Sequence, residues 1–238
     1  MTQEPTSWLS KASHFLHREV QRNIEEPGLK SLQQGPERDF LLLTWGPIVY
    51  RTTYAPDSDR LFPLFLRALN DEVRKSVAKR IDGTPEQIYT MEQSYSSKVI
   101  SDRNQLDNAD EDTVRDAFRS WKRSLGLTRL TDAELPVRLK ICLKVDDHCL
   151  ANFTAVLDQQ ASEEAEADYS KCQVKVIEDM LAEREQPNYK EPEEYPGWTT
   201  ITFSSFVEVY DSLHQGKRLS TFYKNGMVYR GRGEWMTG

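Results

Sequence analysis

Arg51 stands among hydroxyl-bearing side chains, directly after the most apolar run of the chain. In an extended strand Tyr50, Thr52 and Tyr54 would share one side, and Arg51 would point to the other. A guanidinium at a strand end can bind a carboxylate or phosphate through two hydrogen bonds, and nearby hydroxyls can orient a polar ligand. The segment therefore predicts four catalytic residues: Tyr50, Arg51, Thr52 and Tyr54. The structural alternative is that Arg51 pairs with a neighbouring acid and that the tyrosines belong to the core.

Aspartates follow two further predicted strands. Asp102 comes after one of them, and Asp146 and Asp147 come directly after another. Carboxylates from converging strand ends could act as acid and base or hold a cationic substrate. Asp102 is therefore predicted to be catalytic, and Asp146 and Asp147 are predicted to bind substrate. The alternative is that all three cap helices or form turns, where aspartate is common.

Two tryptophans and three basic residues are further candidates. Trp121 and Trp198 are predicted to line a substrate pocket, with packing in the core as the alternative. Arg138, Lys140 and Lys144 alternate along one predicted strand, so they would share a face. This face is predicted to contact nucleic acid, and a solvated sheet face is the alternative.

The cysteines and the missing motifs narrow the chemistry. Cys142, Cys149 and Cys172 are odd in number and lack framework spacing, which predicts reduced thiols in a cytoplasmic protein. Together with His148 they match no common zinc-site spacing, so no metal is predicted. The chain lacks a Gly-rich phosphate loop, a Ser-centred elbow, HExxH and the kinase motifs. The common hydrolase, zincin and NTPase classes are therefore not expected, and no cofactor is predicted.

Hydrophobic periodicity predicts the elements that position these residues. The strands are predicted at 40–54, 87–102, 137–145, 172–179 and 197–206. The helices are predicted at 6–26, 58–81, 107–126, 147–159 and 205–216. This order predicts an α+β fold of one or two ferredoxin-like units, with an antiparallel sheet and helices on one face.

The domain organisation follows from composition and charge. The 238 residues carry a net charge of −7, and 158–197 holds twelve acids against four bases. We expect an N-terminal helical arm and linker over 1–36, a core domain over 37–216 with an acidic loop-rich insert at 158–197, and a basic C-terminal tail over 217–238. No apolar run reaches the ~18 residues that a membrane span needs, and the N-terminus lacks the layout of a secretory signal. We therefore expect no membrane partner.

Four blocks of the sequence resemble a widespread group of fungal proteins that are usually labelled hypothetical. The blocks are WGPIVYRTTY, VISDRNQLDNADEDTVRDAFRSW, VRLKICLKVDDHCL and GWTTITFSSFVEVYDSL. The resemblance covers roughly 40–213 and implies a fungal source and a role in specialised metabolism. It suggests similarity to the arginine-containing cyclodipeptide synthases, transferases that join arginine to a second amino acid from aminoacyl-tRNAs. No catalytic motif of those enzymes is matched residue by residue.

The resemblance implies a tRNA-dependent enzyme with an amino-acid substrate. The aspartates at the strand ends would hold the arginyl group, and Arg138, Lys140 and Lys144 would contact the tRNA. Two alternatives stay open. One is a non-catalytic ferredoxin-like binding or interaction protein that forms a homo-oligomer, and the other is a small-molecule isomerase or cyclase with its pocket between the sheet and the helices.

Overall fold

A mixed seven-stranded sheet forms the centre of the protein. The computed structural model describes residues 11–21, 29, 32, 34–127, 135–163, 168–179 and 195–238. The strands are β1 Ile48–Arg51, β2 Lys98–Ile100, β3 Ile141–Val145, β4 Gln173–Glu178, β5 Trp198–Thr202, β6 Met227–Gly231 and β7 Glu234–Thr237. Their order in the sheet is β2-β1-β3-β4-β5-β6-β7.

Eight α-helices accompany this sheet in the described part of the chain. They are α1 Lys11–Leu16, α2 Pro36–Leu43, α3 Ser58–Arg80, α4 Pro85–Ser94, α5 Arg103–Leu106, α6 Glu111–Ser124, α7 Asp147–Glu163 and α8 Phe206–His214. A π-helical turn, His17–Gln21, follows α1, and 3₁₀ turns lie at Val137–Leu139, Tyr169–Lys171, Phe203–Ser205 and Leu219–Phe222. None of these helices combines the length and the apolar character that crossing a membrane requires.

Strands β2, β1 and β3 run parallel to one another. The chain leaves β1 towards β2 on one side, and it leaves β3 towards the antiparallel β4 on the other side. The helices that follow β1 and β3, α3 and α7, both pack on the same face of the sheet. In open α/β sheets ligands bind in the crevice outside the carboxyl ends of the parallel strands.

Helices cover both faces of the sheet. Val49 and Leu143 belong to the main core, which also includes apolar residues of α3, α7 and α8. Their sequence neighbours Tyr50 and Cys142 pack on the other face against Phe118 of α6. The predicted α+β class is confirmed. The sheet is mixed rather than antiparallel, and its helices lie on two faces, because strands that are apolar on both sides need cover on both sides.

In two of the segments predicted as strands, the first part is helical. Within 40–54 the strand is limited to Ile48–Arg51, because Pro36 starts α2 and this helix continues to Leu43. Within 87–102 the strand is limited to Lys98–Ile100, because Thr84 and Gln87 form a capping box that starts α4. In both cases the helix start lies before the apolar run, so periodicity within the run did not show it.

The terminal segments join the core. Ala12 and Phe15 of α1 are fully buried in the main core. The predicted helix 6–26 extends beyond the described residues on both sides. Residues 217–238, predicted as a basic tail, contribute β6 and β7 to the sheet. The predicted acidic insert contains the central strand β4, while 164–167 and 180–194 lie outside the described residues.

Candidate ligand site at the ends of β1 and β3

Arg51 is held inside the turn between β1 and α3. Its guanidinium donates from Nε to the carbonyl of Thr53 (2.9 Å) and from Nη2 to Ser58 Oγ (2.9 Å), and it pairs with Asp59. Its Cζ lies 4.7 Å from the ring centroid of Tyr54. Only 12% of the side chain is exposed. The alternative in which Arg51 pairs with a neighbouring acid is therefore what the structure shows, and the guanidinium is not free to clamp a ligand.

The hydroxyl residues around Arg51 do not form a common site. Tyr50 packs edge-on against Phe118 at 6.4 Å between ring centroids, and burial raises the pKa of its phenol far above the usual range. Thr52 is buried and donates to the carbonyl of Val145 (3.2 Å). Tyr54 donates to the carbonyl of Arg51 (3.1 Å). These contacts give Tyr50, Thr52 and Tyr54 structural roles.

An acidic cleft opens where β1 and β3 end. We use this name for a cavity of about 400 Å³ whose lining includes Thr53, Asp57, Leu61, Asp147, Leu150, Ala151 and Asp158. Its polar groups include three carboxylates, and its floor is aliphatic. In the described part of the chain, no Lys or Arg lines it. The cleft lies beyond the ends of β1 and β3, between the first turn of α3 and the first three turns of α7.

The three carboxylates of the acidic cleft are held by different elements. Asp57 is the N-cap residue of α3, Asp147 is the first residue of α7, and Asp158 lies three turns further along α7. Thr53, which is 1% exposed, donates its hydroxyl to Asp147 and fixes that carboxylate at the mouth of the strands. Within the described residues none of the three acids forms an ion pair. Together they favour a positively charged ligand.

Asp146, the neighbour of Asp147, belongs to a different group of charges. It accepts from the backbone N–H of Cys149 (3.0 Å) at the start of α7 and from Lys175 Nζ (3.0 Å). Glu111 accepts from Lys175 and from Lys144 Nζ (3.1 Å). We call Glu111, Lys144, Asp146 and Lys175 the four-charge cluster. Its members neutralise one another, so Asp146 is not available to bind substrate as predicted.

The pKa directions agree with this neutralisation. Burial alone would raise the pKa of Glu111, but hydrogen bonds from Lys175 and Lys144 outweigh it and hold the pKa below its ordinary value. Burial likewise opposes ionisation of Asp146, and the charge of Lys175 with the Cys149 N–H lowers its pKa. The cluster is therefore ionised and stabilised around neutral pH.

Asp102 and Trp121 have structural partners. Asp102 caps the short helix α5 by accepting from the N–H groups of Asn104 (3.0 Å) and Gln105 (3.4 Å). Trp121 stacks on Phe118 and donates its indole N–H to Glu37 (3.2 Å). Neither residue lines the acidic cleft. Trp198 lines a separate cleft over β5 and β6.

The predicted nucleic-acid face does not exist as one surface. Arg138 lies in the Val137–Leu139 turn before β3, is 0% exposed, and donates to the carbonyl of Phe40 (2.8 Å) and to Thr44 Oγ1 (3.0 Å). Lys144 is 5% exposed within the four-charge cluster. Lys140 follows the turn and is half-buried. The strand begins only at Ile141, so the alternation that defined the face does not extend to Arg138.

The thiols are not arranged for nucleophilic or metal chemistry. All three cysteines are free and buried. Burial raises the pKa of Cys149 and of Cys172 to about 12, and burial raises that of Cys142 even further. In the part of the chain that the structure describes, no group of three or more His, Cys, Asp or Glu residues is placed to hold a metal ion.

Asp57 and Asp158 are candidate residues that the sequence did not single out. A signal for Asp158 was present, because Asp147, Ala151, Thr154 and Asp158 recur at the spacing of one helical face. Asp57 is the N-cap residue of α3, and aspartate is common at that position whether or not a ligand site lies nearby. Its place beside the end of β3 depends on how α3 and α7 pack against each other, which local sequence does not specify.

Comparisons with known proteins give no match. No protein-family model, no curated protein and no solved structure matches the chain. The acidic cleft therefore carries the functional argument by its own geometry.

Proposed function

We propose that the protein binds a small organic cation in the acidic cleft and that this cation is a guanidinium compound related to arginine. The observation that carries the proposal is the group of three carboxylates without an ion-pair partner around an aliphatic floor. A planar guanidinium can donate hydrogen bonds to two carboxylates at once, and a short alkyl chain fits against Leu61 and Leu150. The position outside the carboxyl ends of two parallel strands supports a ligand site.

Electrostatics sets the expected preference of the cleft. The carboxylates are partly solvated, so each contributes on the order of 1 kcal/mol to the attraction of a cation at 4 Å. Removing the ligand charge while keeping its shape should therefore weaken binding at least about tenfold. Arginine itself carries a carboxylate that the acidic lining disfavours, so an arginine derivative without a free carboxylate should bind best.

Calorimetric titration with butylguanidine and with butylurea tests the proposal. The two ligands have nearly the same shape and differ in charge. We expect butylguanidine to bind with a Kd on the order of 1 mM or lower and butylurea to bind at least about tenfold more weakly. Equal affinities, or no binding of butylguanidine, would contradict a cation site.

The finer proposal is an aminoacyl-tRNA-dependent synthase of arginine-containing cyclodipeptides in fungal specialised metabolism. The cation preference of the acidic cleft supports an arginyl substrate. The choice of reaction and the tRNA partner come from the resemblance of the sequence blocks, because the basic residues predicted to bind tRNA are buried or spread over separate elements. Residues 128–134, 164–167 and 180–194 lie outside the described part of the chain.

Metabolite profiling of an expressing host tests this finer proposal. The synthase predicts cyclic arginine dipeptides that are absent from a host with an Asp147→Asn, Asp158→Asn double variant. If butylguanidine binds to the purified protein and no such product forms, the cation site stands and the synthase reaction is wrong.

A second candidate, a binding protein without catalysis, is favoured by one observation. The hydroxyl that hydrogen-bonds to Asp147 belongs to Thr53, which is 1% exposed, so a bound substrate has little access to it. This candidate predicts that charged arginyl-tRNA is not consumed by the protein and that a bound guanidinium compound is recovered unchanged. Consumption of arginyl-tRNA by the purified protein would exclude it.

A further inference from the structure

A second cleft lies over β5 and β6, away from the acidic cleft. This β5–β6 cleft has a volume of about 450 Å³, and its lining includes His148, Gln173, Trp198, Thr200, Lys224 and Asn225. Gln173, Trp198 and Thr200 belong to the sheet face on which α6 packs, because Gln173 pairs with Thr202 in the antiparallel β4–β5 ladder. Among the residues that the structure describes, no Asp or Glu side chain lines the cleft.

Gln173 is the unusual residue of this cleft. It is 5% exposed, and its side-chain Oε1 is buried without a hydrogen-bond partner within the described residues. Its backbone N–H is satisfied by Asn152 Oδ1 (2.9 Å), so the strand itself is fully anchored there. A buried carboxamide with an unused acceptor is costly to the fold. Such a group at the wall of a cleft is a candidate partner for a ligand.

Trp198 supplies an aromatic wall that is fixed in place. Lys175 Nζ lies 5.0 Å from its ring centroid, and Lys175 is itself held by Glu111 and Asp146. A tryptophan whose neighbour is immobilised by ion pairs offers a preorganised surface to a planar group. Lys224 adds a positive charge to the lining, which disfavours cationic ligands.

We infer that the β5–β6 cleft binds a small planar heterocycle that presents a hydrogen-bond donor next to an acceptor, as a lactam ring does. A carboxamide offers one acceptor and two donors, so once the Gln173 carboxamide turns towards the cleft the lactam N–H can donate to Oε1 and the lactam carbonyl can accept from Nε2. The ring would lie near Trp198, with any acidic substituent towards Lys224. This site is separate from the acidic cleft and does not depend on the proposed function.

Ligand-observed ¹⁹F NMR with 5-fluorouracil tests the inference without a variant. The ring contains the required N–H and carbonyl groups side by side. We expect exchange broadening with a Kd on the order of 1 mM, as suits a fragment of this size. The matched control, 1,3-dimethyl-5-fluorouracil, lacks both N–H donors and should bind at least tenfold more weakly. Equal binding of the two compounds, or no broadening by 5-fluorouracil, overturns the inference.

Gln173→Met assigns the binding to the carboxamide. Methionine has a similar length and no polar group to leave unpaired, so affinity for 5-fluorouracil should fall at least tenfold while Tm stays unchanged or rises. Gln215→Met, at the exposed end of α8, is the control and should leave affinity unchanged. Retained binding in Gln173→Met overturns the inference, and so does a Tm loss above about 5 °C, which would show that the amide already stabilises the fold.

Butylguanidine titration of the same samples separates the two sites. The acidic cleft should bind it equally well in wild type and in Gln173→Met. If 5-fluorouracil does not bind in the β5–β6 cleft, the proposal for the acidic cleft is unaffected. If butylguanidine does not bind in the acidic cleft, the inference about the β5–β6 cleft is likewise unaffected.

Discussion

Asp146 and Asp147 are neighbours in the sequence and lie in opposite electrostatic environments. Asp146 faces the four-charge cluster, where Lys175 and Lys144 neutralise it and Glu111. Asp147 faces the acidic cleft, whose described lining also includes Asp57 and Asp158 and contains no Lys or Arg. The comparison shows that a group of charges close together does not by itself indicate a ligand-binding site. The charges left without partners at an opening are the ones that can select a ligand.

The largest expected effect comes from breaking the four-charge cluster. Glu111→Gln removes the negative charge shared by Lys144 and Lys175 and leaves two ammonium groups beside one carboxylate. Because both lysine side chains are at least 84% buried, we expect a loss of about 2–4 kcal/mol in the free energy of unfolding. Urea denaturation followed by tryptophan fluorescence measures it. A loss below about 0.5 kcal/mol would show that the cluster is as weak as a surface ion pair.

The second-largest effect is expected in the pH dependence of stability, to which the four-charge cluster should contribute. The folded pKa values of Glu111 and Asp146 lie below their ordinary values of 4.5 and 3.8. Their contribution to the free energy of unfolding is therefore fully present above pH 4.5. It is lost as the pH falls through the lower pKa values of the folded state. Urea midpoints measured from pH 6 down to pH 2.5 should decline steeply below pH 4.5 in wild type. The decline should be shallower in Glu111→Gln, and an identical profile would contradict this assignment.

A smaller effect is expected from replacing Arg51. The substitution tests whether this residue only stabilises the fold or also takes part in ligand binding. Arg51→Met removes the hydrogen bonds to Thr53 and Ser58 and an ion pair with the exposed Asp59. We expect a loss of about 1–2 kcal/mol in unfolding free energy and a change of less than about threefold in butylguanidine affinity. Arg60→Met, which changes an exposed residue of the same helix turn, is the control. Complete loss of butylguanidine binding in a stable Arg51→Met protein would show that Arg51 supports the acidic cleft and is not only a structural residue.

Much of the fold was predictable because it depends on local patterns. The helix predicted at 58–81 is observed at Ser58–Arg80, and the one at 107–126 is observed at Glu111–Ser124 with Asp110 as its cap. The strand predicted at 172–179 is observed at Gln173–Glu178. Strand direction and the two covered faces were missed, because they depend on crossovers between distant segments.

The candidate site was predictable only in part. Asp147 was selected correctly as lying beyond a strand end, but Asp146 could not be told from it, since the distinction depends on lysines of β3 and β4. Arg51 was predicted to bind a ligand because it is a cation that follows an apolar strand. Its actual partners, Ser58 and Asp59, are only seven and eight residues away, so a local pairing could have been expected from the sequence. Gln173 gave no signal, because an unpaired amide is visible only when burial is known.

Titration of butylguanidine into two matched double variants tests the central claim most directly. Asp147→Asn with Asp158→Asn removes two charges from the acidic cleft, whereas Asp71→Asn with Asp116→Asn removes two from exposed helix surfaces. Net charge changes equally, so general attraction cancels. The cleft variant should bind at least about tenfold more weakly than wild type, and the surface variant should stay within about twofold. Equal affinities in the two variants would show that the acidic cleft does not select cations.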